Sequence, residues 1–363
     1  MRKNAIRGEK INLPSISGSQ NGFVLAATLW ILAAITLSAG FFSLWTQKTL
    51  DMVQQTQQNL QGEIDMSSTR SVILYLLGTQ RMTLAGLTIP ESEDDSEKAL
   101  NPLNPSAVPL GGEIFLDDRP CQGVGTAYFS IQDEGGLMGL NAFSPDRLER
   151  LLGLLGVPAS HRGPMTDKLL DYTDMDDLHR LNGAEADEYE RQKLPHPPNR
   201  RLLSSWEAGN ILTWKDEPGL WRENALPRLT TVARGGAINL NTAPKQILKI
   251  MADVDENVAQ RLIAAREKKA FPNVREFAKA AGLSNSPDPM SVTFFSSSHL
   301  RISFWHSKAL GMREIHIQLT PQANGKAPWR TDYELFLPFF RTYENIQTIS
   351  ITAFTAPLFS GSE

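Results

Sequence analysis

The chain has 363 residues, 41% of them hydrophobic and 21% charged, with a net charge of -4 at neutral pH. Such values suit a folded globular part with room for two domains beside an anchor. They exclude a disordered polyelectrolyte and give no general electrostatic ground for nucleic-acid binding. The single cysteine, Cys121, excludes a disulfide within the chain, so stability must come from packing, with or without a metal ion.

The first stretch with a definite reading is 22–47, which carries no charged side chain. An apolar run of about 20 residues is long enough to cross a bilayer as a helix, and 23–46 is read as a transmembrane helix. Ahead of it lie Arg2, Lys3, Arg7 and Lys10 against one acid, Glu9. Lys and Arg beside a span stay on the cytoplasmic side, so the N-terminus is expected inside and the chain beyond Lys48 outside. A secretory signal has an apolar core of about 7–15 residues followed by its cleavage site. Here the run is longer, and Gly22 precedes it. The Gly22-Phe23 junction resembles the site cut by prepilin peptidase. That resemblance implies a leader of residues 1–22, cleavage after Gly22 and methylation of the new N-terminus at Phe23, with an uncleaved signal anchor as the alternative. Most pilin-like subunits have Glu at the fifth mature position, where this chain has Ala27. An ionised carboxylate at that depth needs a cationic partner, which in a pilus is the amine of the subunit assembled just before. A subunit with Ala27 needs none and suits the tip. Leu25, Leu29, Ile31 and Leu32 are candidates for helix packing in membrane and filament.

Beyond the span, Leu50, Val53, Leu60 and Ile64 recur at helical spacing, and Val72, Leu74, Leu76 and Leu77 extend the stripe toward Gly78. Leu50 and Val53 join the packing candidates. One helix over 23–78 would be roughly 80 Å long; two helices broken near Gly40 or Gly62 fit the pattern equally. Residues 90–110, with four prolines and the run Glu91-Ser92-Glu93-Asp94-Asp95, predict an exposed loop. Strands are expected at Glu113–Leu116 and Thr126–Ile131.

Helices follow over 147–155, 165–172, 204–212, 244–251, 256–266 and 274–281. Strands return at 300–305, 314–319 and 333–340. A helical block inserted within a sheet-forming domain is an α+β arrangement. The expected organisation is a core from 47–135 and 286–345, a helical insert over 136–285, and a tail over 346–363.

Asp171, Asp174, Asp176 and Asp177 place four carboxylates at the end of one predicted helix. Hard divalent cations take about 6–8 oxygen ligands, and acids at a helix C-terminus oppose its dipole. An ion is one solution, Arg180 as counter-charge another, a solvated acidic turn a third. Glu185 and Glu188 are further candidate ligands. The spacing is not that of an EF-hand. No His, Ser or Cys nucleophile accompanies the carboxylates, so acid–base catalysis is not expected.

Ile238-Asn239-Leu240-Asn241-Thr242-Ala243 also resembles the opening of helix-hairpin-helix modules that bind DNA. Lys245, Lys249, Arg261, Arg266, Lys268 and Lys269 supply charge nearby. The turn between the two helices, Ala252-Asp253-Val254-Asp255-Glu256, offers three carboxylates and no glycine where a phosphate would lie. A fold element without DNA contacts is expected, with a membrane-anchored DNA-uptake module as the alternative function. Trp206, Trp214 and Trp221 read as core or interface. His161, His179 and His196 read as surface residues, and Cys121 as structural or incidental.

Three segments carry a family resemblance: Asp133-Glu134-Gly135-Gly136 through Asn141, Leu170–Asp177 with Leu181–Glu185 and Tyr189, and Ala237–Pro244. Together with the anchor, in this order from about Gly22 to Phe340, they resemble protein K of the type II secretion system, a minor pseudopilin family. The resemblance implies a long N-terminal helix packed on an antiparallel sheet, with a large helical domain inserted between strands. It implies no enzymatic turnover, but a place at the pseudopilus tip that helps start assembly and export of folded proteins across the outer membrane. The implied partners are the minor pseudopilins I and J, prepilin peptidase and the inner membrane, with the C-terminal domain periplasmic. No nucleic acid and no small-molecule substrate are expected. Some members bind Ca²⁺ in the helical domain, which makes Asp171, Asp174, Asp176 and Asp177 the implied calcium ligands.

Overall fold

The computed structural model describes residues 21–89, 108–233, 236–283, 286–306, 308–309, 311–320 and 327–338. The expected leader up to Gln20, nearly all of the acidic proline loop and the tail 346–363 lie outside the described residues. Two units form, one up to Gln58 and one from Asn59 onward.

The first unit is the start of helix α1, Asn21–Thr79, which runs without a break at Gly40 or Gly62. It is long and apolar enough to cross a membrane, and none of its most apolar window is buried. Leu25, Leu29, Ile31, Leu32, Leu50 and Val53 are all more than half exposed.

In the second unit the end of α1 lies on a five-stranded antiparallel sheet. Its strands are β1 (Cys121–Gln122), β2 (Ala127–Asp133), β7 (His299–His306), β8 (Gly311–Leu319) and β9 (Trp329–Pro338), adjacent in that order. The expected strands at 126–131, 300–305, 314–319 and 333–340 correspond to β2, β7, β8 and β9. Glu113–Leu116 contributes only a bridge, Leu87 opposite Ile114.

The buried face of α1 differs from the expected stripe. Met66, Ile73, Leu76 and Leu77 enter a core with Phe129, Ile131, Ile302 and Ile315, while Leu60 and Ile64 point outward. Polar Asp65 and Thr69 share the inner face because the loop ahead of β2 satisfies them. Thr126 donates to Asp65 through its backbone N and its hydroxyl, both at 2.8 Å, and Thr69 Oγ1 accepts from Val124 N. The approach is close enough that a Cβ on Gly62 would sit 2.5 Å from the His306 ring.

The chain leaves the sheet after Asp133 and rejoins it at His299, and these ends are neighbours, Asp133 pairing with Leu300. Everything between is the insert. Its helices are α2 (Pro145–Leu154), α3 (Ala159–Thr173), α4 (Ala186–Arg191), α5 (Lys245–Ala252), α6 (Glu256–Lys268) and α7 (Val274–Ala281). Single helical turns lie at Pro218–Trp221 and Ala225–Leu229. The 204–212 stretch is a 3-10 helix, Ser205–Asn210. Two short parallel pairs stitch the block: β3 (Met138–Gly139) with β4 (Thr230–Thr231), and β5 (Ile238–Asn239) with β6 (Val292–Thr293). Trp214 is fully buried and donates to Met165 O; Trp221 donates to Trp214 O. These tryptophans are therefore core.

Candidate functional site

Two of the three motif segments, those beginning at Asp133 and Ala237, meet at the joint between insert and sheet. Asp133 ends β2. Its Oδ1 accepts from Gly135 N (2.9 Å), Ser297 N (3.0 Å) and Ser297 Oγ (2.7 Å). Its Oδ2 accepts from Asn239 Nδ2 (2.8 Å) and Thr242 Oγ1 (2.9 Å). One carboxylate thus holds the exit of the insert, its return and the Asn-Leu-Asn-Thr motif together. Gly136 is required there, since a Cβ would lie 2.8 Å from the Thr242 carbonyl carbon. Asn141 bridges Leu202 and Val232, and Asn241 bridges Phe271 and Phe294. Both asparagines act as braces between loops whose backbone would otherwise be buried unpaired.

Glu134 follows, and its surroundings were invisible in local sequence pattern. Its Oε1 lies 2.6 Å from His316 Nδ1, and His316 Nε2 lies 3.1 Å from Glu314 Oε1. Thr231 Oγ1 donates to Glu134 Oε2. Arg301 Nε is 3.8 Å from Glu314 Oε2, and Tyr333 stacks on His316 with ring centroids 4.0 Å apart. Burial would push Glu134 and Glu314 up, but the His316 bonds and the nearby Arg301 hold both below the usual carboxylate range.

The acidic turn is built differently from the simple run of four. Helix α3 stops at Thr173, and Asp174 is its extended cap. Asp171 is fully buried, whereas Asp176 and Asp177 are exposed. Arg180 donates its backbone N to Asp171 Oδ2, and its Nε lies 3.2 Å from Asp171 Oδ1, off the hydrogen-bond axis. Asp176 caps Leu178 N, and Asp177 accepts from Asn199. Asp171 Oδ1, Asp174 Oδ1 and both carboxylate oxygens of Glu185 are buried without a hydrogen-bond donor among the described residues. Burial first, then the charges of Asp171, Asp174 and Asp177, push Glu185 up to about 7. A cluster with four orphaned carboxylate oxygens is short of positive charge, and this donor set fits a hard divalent cation. Glu185 is therefore the fuller ligand candidate, and Asp176 the more peripheral. Nearby, His179, Asp187 and Glu188 come within 4.8 Å of one another. Their spacing in the sequence shows no such grouping, and all are on the surface or half-buried.

The helix-hairpin-helix segment forms as α5 and α6, but its cations are committed. Lys245 and Lys249 pair with Glu256. Arg266 is buried, donating to Leu240 O (3.1 Å) and Ala243 O (2.7 Å) and lying 3.3 Å from Asp117. That leaves Arg261, Lys268 and Lys269 exposed, and the turn keeps Asp253 and Asp255 outward. The charge pattern opposes phosphate contact. Cys121 is buried in β1, and burial pushes its thiol up to about 12, so it is unreactive.

An apolar N-terminal helix, an antiparallel sheet and a helical block inserted between two adjacent strands define a pseudopilin-type α+β protein. Residues 131–215 and 238–294 each match a family model described as type II secretion system (T2SS), protein K. The type II secretion system protein K of Pseudomonas aeruginosa is 23% identical over 280 residues, covering 72% of this chain and 76% of that protein. A solved structure, the GspK-GspI-GspJ complex from the enterotoxigenic Escherichia coli type 2 secretion system, aligns with a TM-score of 0.47 and 16% identity over 80% of this chain and 98% of that chain. Over these segments the chain is similar to protein K of type II secretion.

Proposed function

We propose that this chain sits at the tip of a type II secretion pseudopilus, where it helps start assembly and so supports export of folded proteins across the outer membrane. The observation that carries this reading is the protein K insert combined with an N-terminal apolar helix whose fifth mature residue is Ala27. Prepilin peptidase cuts between Gly22 and Phe23, and Phe23 is methylated. The mature helix waits as a single pass in the inner membrane, with the insert in the periplasm. Ala27 asks for no subunit ahead of it. The exposed Leu25, Leu29, Ile31, Leu32, Leu50 and Val53 offer a packing surface to the long helices of the minor pseudopilins I and J. The role is structural, without catalytic turnover, nucleic acid or small-molecule substrate.

Ca²⁺ belongs to this proposal as the ion of the acidic turn, held by Asp171, Asp174, Asp177 and Glu185 with Asp176 at the rim. When bound it supplies the positive charge that the clustered carboxylates lack. The chain's own residues shape the site. Arg180 covers one side of Asp171, and Gly183 lets the chain pass over the Asp171 carboxylate where a Cβ would collide.

The deciding experiment is the intact mass of the protein expressed with and without a prepilin peptidase. Loss of residues 1–22 with one added methyl supports the reading. An unchanged mass beside an active peptidase makes the segment a plain signal anchor and removes the tip assignment.

A further inference from the structure

Among the described residues, His316 is the one buried imidazole with a carboxylate on each ring nitrogen, Glu134 at 2.6 Å and Glu314 at 3.1 Å. A neutral ring donates from one nitrogen only. The other nitrogen would turn a lone pair toward a carboxylate, so the geometry demands the imidazolium. The charges facing it can be counted by element. Glu134 comes from the turn where the insert begins, and Glu314 from His316's own strand β8. Arg301 comes from β7, where it also lies 3.3 Å from Asp118 of the loop before β2. From β9 come Tyr333, stacked on the ring, and the mutually paired Arg330 and Asp332. Glu134 and Glu314 thus face two cations, Arg301 and His316. Losing the His316 proton leaves the two carboxylates with Arg301 alone in a buried site, where uncompensated charge is costly. Glu134 also accepts from Thr231 of β4, which belongs to the insert. The same carboxylate therefore ties insert to sheet through His316. The ring is reachable by water along a cleft of about 720 Å³ lined by Glu134, His316, Leu202, Val232, Arg330 and Tyr333.

We propose that His316 is a proton-controlled clasp between the helical insert and the sheet, fastened while the ring is charged and released when rising pH removes its proton. The direction of titration agrees. Burial would lower the imidazole, but its bonds to Glu134 and Glu314 outweigh burial and raise it above the ordinary 6.5. A raised histidine stabilises fully below its unfolded value, and that stabilisation is lost as pH rises through the folded value.

The test is hydrogen exchange by mass spectrometry on the full chain in detergent micelles from pH 6 to 9.5, as protection factors corrected for intrinsic exchange. Protection in 127–140, 228–233 and 311–319 is expected to fall about tenfold or more relative to α5–α7, equivalent to about 1.4 kcal/mol or more. Glu134→Gln, which can meet a neutral ring as donor, is expected to shrink that loss to under about twofold. The wild-type His316 ring, followed by NMR in selectively labelled protein, is expected to titrate above the ordinary value of about 6.5. A flat protection ratio, a Glu134→Gln variant that keeps the full loss, or a ring titrating at or below the ordinary value overturns the clasp.

Discussion

Asp133→Asn tests whether the insert is hung from one carboxylate. The substitution keeps the shape and exchanges one oxygen for an NH₂ group. If the amide oxygen takes the Oδ1 place, it keeps Gly135 N, Ser297 N and Ser297 Oγ, and the NH₂ then faces Asn239 Nδ2 and Thr242 Oγ1. Thr242 can rotate and accept instead. Asn239 cannot flip, because its Oδ1 already accepts from Asn241 N at 3.0 Å. One charge-assisted bond is lost, worth about 1.5–3 kcal/mol, and a buried donor is left facing another, costing about 1–3 kcal/mol more. The opposite amide orientation faces three donors and is worse. The expected destabilisation is therefore roughly 3–5 kcal/mol. Urea unfolding of the full chain in micelles, followed by near-ultraviolet circular dichroism, measures it, with exchange at 238–243 showing where the loss falls. A variant within about 1 kcal/mol of wild type, with unchanged protection at 238–243, would refute the account, since that is the worth of an ordinary neutral hydrogen bond.

Three further outcomes follow from named contacts. Calcium at about a hundred times its dissociation constant should stabilise the full chain by about 2.7 kcal/mol, seen as a higher melting temperature; Glu185→Gln should weaken the effect, and no shift in the wild type would remove the ion from the acidic turn. Gly62→Val should cost about 1–3 kcal/mol by overpacking against the His306 ring, whereas Ile64→Val, on the outer face, should be nearly silent in the same unfolding assay. Arg266→Met should cost about 3 kcal/mol or more, because it strips donors from Leu240 O and Ala243 O and a partner from Asp117; loss of salt-sensitive DNA retention in place of lost stability would instead revive a nucleic-acid role.

Some elements could be read directly because their signals are local. Helix α7 matches its expected span, 274–281, since Asn273 caps Glu276 N and Gly282 turns left-handed at its end. Strand β7 contains Leu300, Ile302, Phe304 and Trp305, all of them buried. Other features resisted reading for physical reasons. The inner face of α1 mixes apolar residues with Asp65 and Thr69, which are tolerable there only because the 124–126 loop supplies donors; apolar periodicity alone selects Leu60 and Ile64, which face outward. The acidic turn looked like four equivalent aspartates. Folding separates buried Asp171 from exposed Asp176 and Asp177 and brings Glu185 in from beyond Gly183. The His316 joint takes Glu134 from one side of the insert and Glu314 from the other, so no window of sequence contains it.

The seating of the insert between two neighbouring strands bears on how the molecule is made. β2 and β7 are neighbours inside the sheet, yet the whole helical block is synthesised between them. Closing a flexible loop grows costlier with its length, by about 0.6 kcal/mol per doubling, and long-range pairing of this kind is slow. A block that has already folded presents its two ends side by side and turns that long loop into a short one. The order this favours is helix α1 first, then the insert, then closure of β2 on β7, with β8 and β9 added last. A defect at the Asp133 joint would then be felt during biogenesis, as a sheet left open with β2 unpaired, before it was felt as lost stability in the finished subunit.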